Sequence, residues 1–339
     1  MSAATNVLTA WGLEGASCLR LGSGHINQTW RVDAPAGSFA LQRLSRIFGA
    51  EVNHDIAAVT AELARQGLLT PHLVPTASGE LWHTEPAGDV WRLMSWIEGR
   101  TLLSADSPGR CAEAGRLLGR FHRALWGCEH RFQHRRPGVH DTSRHLDNLE
   151  CALVDHVDHR LGARIEPVAR RILEQALELP HGLPERVVHG DPKISNVIFA
   201  EDGEALALVD LDTLARMALP LELGDALRSW CAPQGEEVEG PVDLAHFEAA
   251  LRGYAEGVGA LPTAAERRSI PRATELIAVE LAARFCADAL QERYFGWDAG
   301  RFASAAEHNL VRARAQLSLA RSIHEHRDRM EQVVEQAWR

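Results

Sequence analysis

One stretch constrains this chain more than any other: Val187-Val188-His189-Gly190-Asp191-Pro192-Lys193-Ile194-Ser195-Asn196-Val197-Ile198-Phe199. Fourteen residues beyond Asn196 stands Asp210, at the end of the apolar run 205–209. Between them Glu201, Asp202, Gly203 and Glu204 form a strong turn signal. The pattern predicts a loop carrying Asp191 and Asn196, then a short strand, a turn, and a returning strand that delivers Asp210 beside them. Phosphoryl transfer needs such a layout. One carboxylate takes the proton of an attacking hydroxyl, while an amide and a second carboxylate hold Mg²⁺ against the phosphates of ATP. The competing reading is a strand–turn–strand with incidental acids and a packing histidine, which requires several spaced residues to coincide by accident.

Asp191 is the expected catalytic base, because in phosphoryl transfer the protein chiefly positions and stabilises. Asn196 and Asp210 offer the hard oxygens that suit Mg²⁺. Asp212 rivals Asp210, since on a continued strand the two share a face. Lys193 is placed to offset charge on the transferred phosphoryl group. Gly22 and Gly24, between two strand signals far upstream, read as a loop whose backbone N–H groups cover phosphates.

The order of patterns predicts an α+β protein of two lobes. Strand signals at 17–21, 29–32, 38–43 and 90–96 surround one helix over 53–66, with Ile56, Val59 and Leu63 on its inner face. Beyond residue 99 the periodicity turns helical, over 105–126, 143–159, 164–178, 222–231, 243–257, 263–293 and 300–336. The expected division is a nucleotide-binding lobe at 1–95 and a catalytic and substrate-binding lobe at 96–339, with ATP in the cleft between them.

A net charge of −10 and no long basic run argue against nucleic acid or an acidic membrane surface as partners. ATP must then be held by local groups. No window of 18 uninterrupted apolar residues and no leader pattern are found, so a cytoplasmic protein is expected, monomeric or homodimeric. The six cysteines are scattered and read as reduced thiols. The pairs His130/His134 and His156/His159 have helical spacing and read as a solvated face.

The pattern H-G-D-x-x-x-x-N followed by a hairpin ending in Asp resembles the core of the aminoglycoside phosphotransferase and choline kinase superfamily, small-molecule kinases with a protein-kinase-like fold. Gly190, where protein kinases usually carry Arg, favours that branch. The resemblance implies that Asp210 takes the metal-binding position ahead of Asp212. It implies that Met94, Ser95 and Ile97 belong to the lobe-connecting segment whose backbone receives adenine. The usual strand lysine is missing. Alternation in Phe39-Ala40-Leu41-Gln42-Arg43 points to Gln42 at its place, with Arg43 facing away, and the partner acid on the helix is open among His54, Asp55 and Glu62. Asp225 matches a structural acid that caps a helix or braces the catalytic loop.

Further segments are similar to the N-acetylhexosamine 1-kinase subgroup: 21–29, 209–213, 224–228, Arg284-Phe285 with Asp288 and Tyr294-Phe295, and 308–313. That similarity implies a sugar acceptor phosphorylated at its anomeric 1-hydroxyl, with His25, Arg284, Asp288 and Tyr294 at the substrate. The alternatives are an aminoglycoside, choline or homoserine acceptor, or a catalytically weak nucleotide-binding pseudokinase.

Overall fold

In the computed structural model, residues 3–22, 27–134, 138–175 and 178–339 are described. Gly24 and His25 lie outside them. A short helix α1 (Ala3–Val7) precedes the strands β1 (Ser17–Leu21), β2 (Gln28–Ala34) and β3 (Gly37–Arg43). Helix α2 (Val52–Arg65) follows, then β4 (Leu73–Val74), β5 (His83–Thr84) and β6 (Val90–Ser95). These strands make one antiparallel sheet in the order β1-β2-β3-β6-β4, with β5 also on β6. Its register sets Gln42 opposite Arg92. Ile56, Val59 and Leu63 of α2 are buried as their spacing predicts.

The remainder is mainly helical. Helices α3 (Pro108–Ala124), α4 (Thr142–Asp155) and α5 (Gly162–Leu173) lead to β7 (Glu185–Val188). The hairpin β8 (Val197–Phe199) and β9 (Ala205–Leu208) follows, with β10 (Ala215–Ala218) returning antiparallel to β7. Then come α6 (Leu219–Trp230), α7 (Leu244–Val258), α8 (Ala264–Arg268), α9 (Ile270–Gln291), α10 (Ala305–Glu325) and α11 (Arg327–Ala337). Two spans read as single helices are therefore each broken in two. Pro271 in the first turn of α9 lacks an N–H for a continuing helix, so α8 ends at Ser269. At His326 the imidazole lies 2.8 Å from the Ser322 carbonyl as α10 ends. Among the described residues no helix is long and apolar enough to cross a membrane.

Helices α3 and α7 meet backbone to backbone. A Cβ on Gly115 would stand 2.2 Å from the Ala250 carbonyl oxygen, and one on Gly253 would stand 2.0 Å from that of Ala112. Gly119 and Gly257 are equally tight against the opposite helix. This close approach brings His122 of α3 to Tyr254 of α7, Nδ1 to hydroxyl 3.0 Å, directly beneath the catalytic loop. Gly253→Ala should cost ~1–3 kcal/mol by overpacking this crossing. Gly127→Ala, with open space around it, should be nearly neutral. Thermal unfolding of the two variants checks this, and equal stability would refute it.

Candidate active site

The loop between β7 and β8 hangs from buried supports. Glu222 on α6 accepts the His189 and Gly190 N–H groups, each at 2.9 Å. His122 reaches within 3.6 Å of the same carboxylate. The indole of Trp230 donates to the Pro192 carbonyl at 2.9 Å, and the His189 ring lies 2.9 Å from the Val209 carbonyl. Gly190 has φ 82°, and a Cβ there would lie 2.1 Å from the Thr213 carbonyl oxygen. A side chain at this position would displace the turn after Asp210, which accounts for glycine in the motif. Asp225, expected to cap a helix or brace this loop, pairs with Arg228 at 2.9 Å. The brace is Glu222, three residues earlier on the same helix.

The loop and hairpin bring the predicted residues together. Lys193 Nζ is 2.7 Å from Asp191 Oδ2. Asn196 donates its amide to the Asp191 carbonyl at 2.8 Å and to its carboxylate at 3.2 Å. That orientation leaves Asn196 Oδ1 as an acceptor. The Val209 N–H donates to the Asn196 carbonyl at 2.9 Å, so the hairpin register sets Asp210 beside Asn196. Lys193 is the one lysine of the chain. Burial depresses its pKa, but Asp191 and Asp210 more than reverse this, so it stays charged. Burial raises the Asp191 carboxyl, against the pull of Lys193.

Asp210 sits in the left-handed region, φ 64°, and the chain then enters a 3₁₀ turn over Leu211–Thr213. The strand has ended at Leu208, so Asp210 and Asp212 do not share a strand face as alternation implied. Asp212 is buried and points into the sheet. Arg92 grips it with two hydrogen bonds, at 2.6 and 2.7 Å, and Asn27 adds a third at 2.6 Å. Asp212 is thereby spent. Asp210 remains, pushed up to about 7 by burial and by the charges of Asp212 and Asp191. A crowded carboxylate beside an amide oxygen is a donor set that fits a hard divalent cation.

Arg92 is the residue that sequence reasoning missed. It lies on β6 opposite Gln42, whose side-chain oxygen accepts from Nε at 2.8 Å, and it nears Asn53 of α2 at 3.5 Å. Arg43 does face away, to Asp89 at 3.2 Å. None of the three helix candidates pairs with a strand cation. Asp55 binds His130 at 2.7 Å and the N–H groups of Gln133 and His134, Glu62 pairs with Arg65, and His54 packs on Trp82. His130 and His134 thus dock a non-helical segment onto α2; they do not form a solvated helical face. Register was the available signal: a strand arginine opposite a strand glutamine.

At the lobe connection, Ser95 donates to the His72 carbonyl and Trp96 to that of Ser38. The N–H of Ile97 has no partner among the described residues. Gly22 follows β1 with φ 34°.

On the acceptor side, Asp288 is fully engaged. It accepts the N–H groups of Arg293, Tyr294 and Phe295 at 2.8–3.0 Å and the amide of Asn309 at 3.0 Å. It clasps the loop after α9 and is not free to hold a substrate, contrary to expectation. Arg284 stacks near Tyr294 and Phe295, 5.8 and 5.6 Å from the ring centres. Charges of both signs lie nearby: Asp225 with Arg228, and His140 with Glu280 at 3.0 Å. A separate cavity of about 1000 Å³ reaches Gly190, Thr213 and His140, but neither Asp191 nor Asp210 lines it.

The chain belongs to the phosphotransferase enzyme family, whose model (APH) matches residues 17–261. A homoserine kinase of Sinorhizobium medicae (strain WSM419) is 26% identical over 259 residues, covering 71% of this chain and 73% of that protein. One from Caulobacter sp. (strain K31) is 30% identical over 171 residues, half of each chain. In fold, the chain is similar to a microcompartment-associated aminopropanol kinase, with TM-score 0.65 at 16% identity, covering 97% of this chain and 98% of that one. It is also similar to an amicoumacin kinase in complex with AMP-PNP and Ca²⁺, with TM-score 0.63 at 16% identity, covering 89% and 87%. The protein is a small-molecule phosphotransferase of a two-lobed, protein-kinase-like α+β fold.

Two outcomes test the site. Arg92→Met should strand a buried carboxylate and cost ~3–5 kcal/mol. Arg92→Met with Asp212→Asn should recover most of that stability, and failure to recover would show that the pair is not what the lobes lean on. The second concerns pH. Asp210 has its pKa raised from 3.8 to about 7 on folding, so its contribution to stability is present at low pH and lost as pH rises through 7. A divalent cation held by that carboxylate would compete with protons for it. The rise in thermal midpoint on adding MgCl₂ should therefore be larger at pH 8 than at pH 6; the reverse order would refute Asp210 as the ligand.

Proposed function

We propose that this protein transfers the γ-phosphate of ATP to a hydroxyl of a small polar metabolite, with Mg²⁺ as the cation. The observation that carries this is the cluster of Asp191, Lys193 and Asn196 with Asp210 beside it. Asp191 orients the acceptor hydroxyl and takes its proton as the bond to phosphorus forms. Lys193 stays charged and steadies the transferred oxygens. Asn196 Oδ1 and Asp210 hold the cation, which when bound neutralises phosphate charge. Residues 1–95 cover the nucleotide, with Gly22 and Gly24 in the phosphate loop, Gln42 over the phosphates, and the backbone of Met94, Ser95 and Ile97 at adenine. Residues 96–339 carry the chemistry and the acceptor.

For the acceptor, the charge pairs favour a zwitterion. A hydroxylated amino acid can exchange its carboxylate and ammonium for the partners of Arg228 and Asp225, which a neutral sugar cannot. The homoserine kinase relatives support the same choice. The second reading is an N-acetylhexosamine phosphorylated at its 1-hydroxyl, favoured by Arg284 beside the Tyr294 and Phe295 rings, with His25 near the substrate.

ADP release from ATP and Mg²⁺ should be stimulated by homoserine more than by N-acetylhexosamines, choline or aminoglycosides. Asp191→Asn should lower turnover roughly 100- to 10,000-fold with nucleotide affinity nearly unchanged. Stimulation by a hexosamine alone would move the assignment to the sugar. No stimulation by any acceptor, with ATP still bound, would leave a nucleotide-binding protein without transferase activity.

A further inference from the structure

Far from the catalytic loop, α5 and α10 lie side by side and leave a groove of about 500 Å³. Its walls carry four arginines. Arg164 and Arg171 stand on α5, Arg314 and Arg321 on α10. On each helix the pair is seven residues apart, two turns on one face, or about 10 Å along the axis. Buried Val168 and Leu317 form the floor, and Glu239 is the one acid on the rim.

The groove arginines differ in pairing from their immediate neighbour on α5. On the neighbouring face of α5, Arg170 is paired with Glu166 at 2.6 Å. In the groove, Arg164 has only a 3.8 Å approach to Glu307. Arg171, Arg314 and Arg321 have no carboxylate partner among the described residues. A protein of net charge −10 has thus gathered uncompensated guanidinium groups on both sides of one cleft. Water screens these exposed groups from one another, but an anion entering the cleft would meet guanidinium groups from both walls. Guanidinium groups suit phosphoryl oxygens, which they bind in pairs.

We propose that the groove between α5 and α10 binds a small molecule carrying at least two phosphoryl groups, at a site separate from the active cleft. The paired arginines take the phosphoryl groups, and the floor of Val168 and Leu317 takes the body of the ligand. Glu239 belongs to the same loop as Glu236, which holds Arg228 at 2.9 Å, and Glu237, which holds His308 at 2.8 Å. Occupancy of the groove therefore bears on a loop that touches the acceptor side. The proposal does not depend on which acceptor is phosphorylated.

The test uses the full chain with its active cleft filled by AMP-PNP and Mg²⁺. Inorganic tripolyphosphate is titrated by calorimetry. One molecule should bind per chain, saturably. Arg171→Glu with Arg321→Glu should weaken binding by roughly 30-fold or more, while Arg170→Glu, just outside the groove, should change it little. Should the charge reversals unfold the chain, Arg171→Gln with Arg321→Gln replaces them, with a loss of about 10-fold expected. Absence of saturable binding, or equal losses from the Arg170 and groove variants, would overturn the site. So would binding to phosphatidylserine vesicles that tripolyphosphate fails to compete away, since that would make the groove a membrane contact.

Discussion

The turn that follows Asp210 and the sheet above it lean on one buried ion pair, Arg92 with Asp212. It joins β6 of the sheet to the turn that follows Asp210, and Asn27, Gln42 and Asn53 converge on it. An ion pair out of water is costly unless its geometry is good and its remaining atoms are bonded. Here both carboxylate oxygens and Nε, Nη1 and Nη2 all have partners. The pair gives the two lobes a fixed relation without a large apolar interface. It also removes one of two adjacent acids from competition for the metal. Asp210 is left crowded and poorly neutralised, the condition under which a carboxylate gains most from a bound cation.

The catalytic loop is held from beneath by a second buried acid. Glu222 takes two successive backbone N–H groups, and α3 and α7 hold His122 and Tyr254 below it. The tight glycine crossing of these helices is thus connected to catalysis through three side chains. A strained Asp210 and a positive-φ Gly190 persist because this scaffold overdetermines them.

Local features were legible in the sequence. The loop, the turn at 201–204 and the return to Asp210 follow from turn residues and apolar runs, and α2 follows from its periodicity. What alternation could not give was any pairing set by register or by chain reversal. Alternation sets Gln42 on one face with Ala40, but Arg92, which it meets, is fifty residues away and reaches it only through sheet order. Asp212 read as a sharer of the Asp210 face because nothing local announces that the strand stops at Leu208. Asp288 illustrates the same limit. Its composition suits a sugar site, yet three backbone N–H groups two turns on claim it, because α9 ends in a left-handed Glu292 that swings the chain back.

The acceptor side proposed above draws on residues both within and beyond the family match. The family match ends at residue 261, whereas Arg284, Asp288, Tyr294 and His308 lie beyond it. Two loops meet there. Glu237, between α6 and α7, binds His308 and Arg301 at 2.8 and 2.7 Å, and Glu236 beside it binds Arg228. The proposed acceptor wall would therefore be assembled from the C-terminal helices and one acidic loop, clasped by ion pairs that solvent weakens. Under the proposed zwitterionic acceptor, Arg228 and Asp225 would release their partners to the substrate, whereas a neutral sugar would leave the two paired.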